Sequence, residues 1–421
     1  MIRIAWTLNF PHCSILLASV AFGFGAFLSE PAMAADACVQ DAAKVTARMP
    51  ADSMMAGVLP ADLVAKLDAA ARTSLKEAST PGLVVGVRTP AGTWTSAYGK
   101  ADPAAGTPMD VGMNTRVGSL TKTFVGTMIM QLAETGKLSL DDHIDKYVPG
   151  VPNGDKISLR QLANMTSGVA SYTRNTKFTD VYFAKPETIF KPDQLLAIGL
   201  SDSPIFAPGA RFDYSNTNFV LLGLVIEKVT GRPIAESLKA MVLEPLKLTS
   251  TSWPGESTEI PAPYAQGFTL QGDVKGNTPL NATHWNPAWG WTAGEVISNM
   301  GDLLVYGRAL GTGQGLLSAA SQIARLTSFP APAGYGIAMG CSGGWVGHSG
   351  ELPGYNTTLF YDTQTDTTVA VQTNSDIASG NCKEEPLLTS DPRNAVCSSP
   401  AVRVFVALSK VLDRPFTPPS R

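Results

Sequence analysis

Arg116-Val117-Gly118-Ser119-Leu120-Thr121-Lys122-Thr123-Phe124 sets a serine and a lysine three residues apart at the head of an apolar-periodic run. Phe124, Val125, Met128, Ile129 and Leu132 recur at helical spacing and Gly136 closes the run, which predicts a helix. Residues i and i+3 share one helical face, so the Lys122 amine can reach the Ser119 hydroxyl. The helix N-terminus adds unpaired N–H groups and positive dipole that stabilise an anion. A hydroxyl is a poor nucleophile until a base takes its proton, and a lysine serves only if burial or a cationic neighbour keeps it neutral. The plainer reading makes Ser119 a helix cap and Lys122 a solvated charge. With 32 serines and 17 lysines in 421 residues, about 1.3 Ser-x-x-Lys matches arise by chance. The motif needs company.

Two further motifs supply it. Tyr214-Ser215-Asn216 stands in a turn at the head of Asn216–Val229, a run apolar around most of its circumference and therefore a buried helix. His348-Ser349-Gly350 stands on a Gly-rich, strand-like stretch. In isolation the first reads as a capping turn and His348 as a buried, hydrogen-bonded histidine; the three motifs in this order have a chance expectation of only a few in a hundred, roughly. A rival serine, in Gly340-Cys341-Ser342-Gly343-Gly344, fits the G-x-S-x-G elbow. That elbow works between a strand and a helix with an acid and then a histidine downstream. Here strand-like sequence follows, and His348 comes six residues on with no carboxylate between, so the match is a coincidence.

Further outward, Pro60–Ala78 reads as a helix with Leu63, Leu67, Ala70 and Ala71 on one face. Leu83–Val87 and Trp94–Tyr98 flank Thr89-Pro90-Ala91-Gly92 and form a hairpin. Tyr355–Tyr361 and Thr367–Thr373 form a second hairpin around residues 362–366, and Ala401–Leu412 a closing helix. Thr230-Gly231-Arg232-Pro233 stops the buried helix and opens the next. Strands at both ends and helices between predict an antiparallel sheet assembled from the two ends, an α+β arrangement. Thr249–Trp291 has no sustained period and carries Trp253, Tyr264, Phe268, Trp285, Trp289 and Trp291; it is either a functional loop system or aromatics packed beneath long loops.

The three motifs resemble those of the penicillin-recognising serine hydrolases, the DD-peptidases (penicillin-binding proteins) and serine β-lactamases. The chain is most similar to the branch containing class C β-lactamases and secreted D-alanyl-D-alanine carboxypeptidases. The resemblance covers most of residues 75–412 and takes in Met165-Thr166-Ser167-Gly168 and Trp291-Thr292-Ala293-Gly294. It implies a β-lactamase/DD-peptidase-like fold: an antiparallel sheet flanked by helices, with an all-helical insertion and the site between them. On that pattern one catalytic domain spans 61–413, its sheet parts at about 61–145 and 290–413 and its insertion at about 146–289, after a leader at 35–60. The resemblance implies that Ser119 attacks a carbonyl and forms an acyl-enzyme, with Lys122 and Tyr214 sharing the proton transfers. Asn216 would hydrogen-bond the acyl side-chain amide, and the backbone N–H groups of Ser119 and Glu351 would form the oxyanion hole. His348, Ser349 and Gly350 would line the opposite wall.

One departure stands out. Peptidases that bind a free carboxylate place a cation near the third motif, and carboxypeptidases of this branch add an arginine just upstream. Between Arg325 and Lys383 this sequence has no Lys or Arg. The expectation is thus a serine hydrolase of peptidoglycan-type peptides or β-lactams, with an esterase or other amidase, or a catalytically silent sensor, as alternatives.

Composition sets the frame. Apolar residues at 44% against 16% charged exclude intrinsic disorder. A net charge of −3 lacks the basic field that nucleic-acid binding needs. Arg3, the uncharged stretch Ile15–Leu28 and Ala32-Met33-Ala34 read as a secretory signal over residues 1–34. The expectation is a secreted or periplasmic monomer with no stable membrane anchor after cleavage. Its partner is a small-molecule or cell-wall peptide substrate, with no cofactor or metal. Cys38, Cys341, Cys382 and Cys397 remain after the signal and allow three disulfide connectivities; Cys382–Cys397 closes the shortest loop and is favoured.

Overall fold

A computed structural model describes residues 37–50, 57–78, 80–272, 278–330, 333–380, 382 and 396–418. The signal over 1–34 and the middle of the leader lie outside the described residues. Seven strands form one antiparallel sheet: β1 (Gly82–Thr89), β2 (Gly92–Asp102), β3 (Thr107–Pro108), β4 (Gly340–Ser342), β5 (Trp345–Leu352), β6 (Tyr355–Asp362) and β7 (Thr367–Thr373). Their order is β3-β2-β1-β7-β6-β5-β4. The two ends of the chain therefore meet in the middle of the sheet, where Leu83 faces Thr373 and Arg88 faces Thr368.

Strand alternation divides the core. Leu83, Val85 and Val87 of β1, with Val369 and Val371 of β7, face one side. They pack against α1 (Ala61–Glu77) and α5 (Pro400–Val411) through Leu67, Ala71, Val404, Phe405 and Leu408. Val84, Val346, Leu359 and Ala370 face the other side and meet α2 (Thr121–Glu134) and α4 (Met300–Thr312). The close approach of α4 explains Gly86, where a methyl group would fall 2.5 Å from Met300 Sδ.

α3 (Asn216–Thr230) lies among shorter helices at Leu159–Ala163, Thr176–Ala184 and Pro192–Gly199. Phe219, Val220, Leu221, Leu222, Val225 and Ile226 are buried, as the all-round apolarity of this run predicts. Gly231, at φ 66°, ends it and returns its N–H to the Glu227 carbonyl. The insertion expected to be all-helical over about 146–289 also holds a two-residue β ladder, Phe268–Thr269 with Leu280–Asn281, in its stretch without a sustained period. Trp285 and Trp289 pack edge-on or tilted against Tyr182, so these aromatics lie beneath the loops as core.

The segment before α1 is bound to this body. Cys38 is disulfide-bonded to Cys341 on β4, and Cys382 to Cys397. Arg308 donates to both carboxylate oxygens of Asp366 (2.9 and 3.0 Å) and to the Met49 carbonyl. Ser342 of the rival motif lies on a strand that turns straight into β5, and its hydroxyl donates to the Thr417 carbonyl. It is not an elbow.

Candidate active site

Gly118–Leu120 form one tight turn that feeds α2, with Ser119 at its centre. Gly118 has φ +55°, and a methyl group there would lie 2.4 Å from the Glu351 nitrogen. A methyl group on Gly350 would lie 1.9 Å from the Val117 carbonyl oxygen and 2.8 Å from the Ser119 nitrogen. Both glycines exist so that the backbones at Ser119 and Glu351 can touch. The backbone at Ser119 is thereby packed directly against the backbone at Glu351.

α2 is buried on nearly every side, its threonines included, so its second residue, Lys122, is held in the interior and has no exposed surface. Its Nζ lies 2.9 Å from Ser119 Oγ and donates to the Ala293 carbonyl at 2.6 Å. The faces of Tyr214 and Phe219 stand 5.0 and 5.5 Å away. Burial without an anionic partner holds the Lys122 ammonium well below its ordinary pKa, which favours the neutral amine. Ala293 belongs to the Trp291–Gly294 run; Thr292 anchors that turn by donating to the Phe219 carbonyl.

The Tyr214 ring stands against Lys122 beside the nucleophile, and burial pushes its pKa up, so it stays a phenol. The turn carrying it is held by the Met165–Gly168 run: the Asp213 N–H donates to the Met165 carbonyl, and Ser167 to Asn218 Oδ1. Arg174 caps the turn from outside through Asp213 and the Tyr214 carbonyl. Asn216 starts α3, receiving nothing from the nucleophile; its N–H donates to Ser171 Oγ and its amide to Thr173 Oγ1.

β5 brings up the opposite wall with His348, Ser349 and Gly350. The His348 ring lies 6.2 Å from that of Tyr214. Its Nδ1 meets the Ser349 carbonyl and its Nε2 the hydroxyl of Tyr335 at 3.0 Å. Burial first, and then the proximity of Lys122 whenever that amine is protonated, pull its pKa down to about 3, so the imidazole is neutral at physiological pH. Ser119, Lys122, Tyr214, His348 and the backbone at Ser349–Glu351 thus converge on one site. Sequence reading missed Tyr335 and the Ala293 carbonyl; only the flanking glycines of Gly334-Tyr335-Gly336 hint at the first, and a main-chain acceptor leaves no signature.

The depressed His348 pKa has a stability consequence. In the unfolded chain an imidazole titrates near 6.5, so between about pH 6.5 and 3 the unfolded state binds the extra proton and stability is lost as pH is lowered. Buried Asp376, raised to about 6, acts with the opposite sign, its contribution being lost as pH rises from about 3.8 through 6. His348→Asn isolates the first effect. Urea melts of wild type and variant are expected to diverge by about 2–3 kcal/mol between pH 7 and 4, the wild type losing more; parallel curves would mean that His348 is protonated in the fold.

Residues 67–388 match the family profile described as Beta-lactamase. The chain belongs to that family, whose members are serine hydrolases sharing this α+β fold. A D-stereospecific amidohydrolase from Streptomyces sp. is 32% identical, with a TM-score of 0.67, over 73% of this chain and 94% of that one. The D-amino acid amidase from Ochrobactrum anthropi SV3 shares the fold at TM-score 0.69 and 21% identity, over 83% of this chain and 99% of its own. PbpX of Bacillus subtilis (strain 168), named for penicillin binding, is 27% identical over 57% of this chain and 56% of its own. The chain spans about half the length of that curated relative. Among the described residues no helix is long and apolar enough to cross a membrane.

Proposed function

We propose that this chain is a serine amidohydrolase that cleaves small amides built on D-configured acyl groups, through an acyl-enzyme on Ser119. The neutral Lys122 amine takes the Ser119 proton as Oγ bonds to the substrate carbonyl carbon. The N–H groups of Ser119 and Glu351 receive the oxyanion. The carbon–nitrogen bond then breaks while the Tyr214 hydroxyl passes its proton to the leaving nitrogen and regains one from Lys122. Water attacks the ester, returns a proton to Ser119 through the same pair, and releases the acid. Asn216 orients the acyl side chain.

The observation that carries this reading, against a carboxypeptidase, is the uncharged wall. His348 is neutral, and both its ring nitrogens are already engaged by Tyr335 and Ser349. A substrate ending in a free carboxylate finds no cation there, whereas an amide leaving group needs none. The likeness to the Streptomyces amidohydrolase supports the same class and the D configuration. Two disulfides and a signal-like start support an oxidising compartment outside the cytoplasm.

Steady-state kinetics on D-phenylalanine amide, its L enantiomer and a D-Ala-D-Ala free-acid peptide test the proposal. The D-amide is expected to lead both others in kcat/KM by about tenfold or more. Preference for the free-acid peptide would restore the carboxypeptidase reading, and turnover of nitrocefin above all of them a β-lactamase.

A further inference from the structure

We propose that Tyr335 is a positioning residue: its hydroxyl donates to His348 Nε2, fixes the imidazole as the Nδ1–H tautomer and so sets how the neutral ring faces the leaving-group side of the site. The inference extends the reading above and rests on it for its catalytic part.

The tautomer follows from the partners. A carbonyl oxygen accepts only, so the contact between His348 Nδ1 and the Ser349 carbonyl requires the proton on Nδ1. In a neutral ring Nε2 is then a lone pair, and the phenol 3.0 Å away is its donor. His348 is 7% exposed, which leaves little room for water to replace that donor. Other titratable groups face the ring from each packed element: Tyr214 from the head of α3, Lys122 from α2, and behind Tyr335 the guanidinium of Arg325. None of these is an anion that would welcome an imidazolium.

Tyr335 is held for this task. Its backbone bridges to Gly340, and the neighbouring Gly334 carbonyl accepts from the Cys341 N–H at 2.7 Å. Cys341 is itself tied to Cys38. Phe212 closes over the ring at 5.8 Å, and Tyr214 meets it edge-on at 6.2 Å. The Ser349 carbonyl, held by His348 Nδ1–H, lies on the strand that carries the Glu351 N–H. A rotation of the imidazole therefore disturbs the shape of the wall.

Long-range 1H–15N spectra of histidine-labelled protein between pH 5 and 9 test this directly, with His348→Asn supplying the assignment. Wild-type His348 is expected as the Nδ1–H form, without titration across the range. In Tyr335→Phe it is expected to shift toward Nε2–H, with burial still holding the ring neutral. Acylation by a p-nitrophenyl ester in the same variant is expected to fall roughly tenfold to a hundredfold, the scale of one buried hydrogen bond. A wild-type Nε2–H signal, or a histidine spectrum unchanged in Tyr335→Phe, would overturn the proposal. If that variant does not fold, the wild-type tautomer alone decides. Should acylation prove independent of Ser119, the amidohydrolase reading fails while the spectra still judge Tyr335.

Discussion

Ser119→Ala is expected to remove every acyl adduct and to reduce amide turnover by roughly 10⁴-fold or more, with the fold intact. The hydroxyl sits on a turn whose geometry is set by backbone contact with β5 and by the α2 hydrogen-bond ladder, not by Oγ itself. Removing one half-buried oxygen leaves Lys122 still bonded to the Ala293 carbonyl, so the melting temperature should move by no more than a few degrees. Intact mass after exposure to an activated ester, a penicillin and a fluorophosphonate reads the result. An adduct of unchanged stoichiometry in the variant would move the nucleophile elsewhere, Ser342 being the first residue to examine.

Lys122→Met separates chemistry from packing more sharply. Methionine nearly matches the lysine stem in length and lacks the amine that burial must hold uncharged. The interior of α2 loses a buried polar group and leaves the Ala293 carbonyl without its donor, two effects of opposite sign and about 1–3 kcal/mol each. Stability should therefore stay close to wild type. Acylation should not: without a base 2.9 Å from Oγ, the hydroxyl must lose its proton to water, and the rate is expected to fall by about 10²–10⁴. Rapid-mixing measurement of the acylation step, beside a urea melt of the same preparation, checks both halves. Acylation within a factor of two of wild type would transfer the role of base to Tyr214, whose raised pKa argues against it.

Much of this arrangement could be read from local chemistry. A serine and lysine one helical turn apart need only a helix to meet, and the helical spacing of Phe124, Val125, Met128, Ile129 and Leu132 announced one. The hairpins were legible because Thr89–Gly92 and residues 362–366 carry turn chemistry between β-branched runs, and α3 because its apolar residues fill the whole circumference. The strand order was less open to inspection, since the pairing of β1 with β7 joins segments nearly the whole chain apart. The disulfides were legible by loop length: favouring Cys382–Cys397 leaves Cys38 for Cys341, although only the folded sheet edge shows what brings residue 341 to that segment. Tyr335 was hidden because nothing in Gly334-Tyr335-Gly336 says which imidazole the phenol will meet.

The central ladder has a bearing on biosynthesis. Leu83 waits for Thr373 and Cys38 for Cys341, so a nascent chain emerging from the ribosome or a translocation pore cannot complete its sheet until nearly all of it is through. During that interval β1 offers Leu83, Val85 and Val87 on an edge without its final neighbour, a surface on which two unfinished copies can pair.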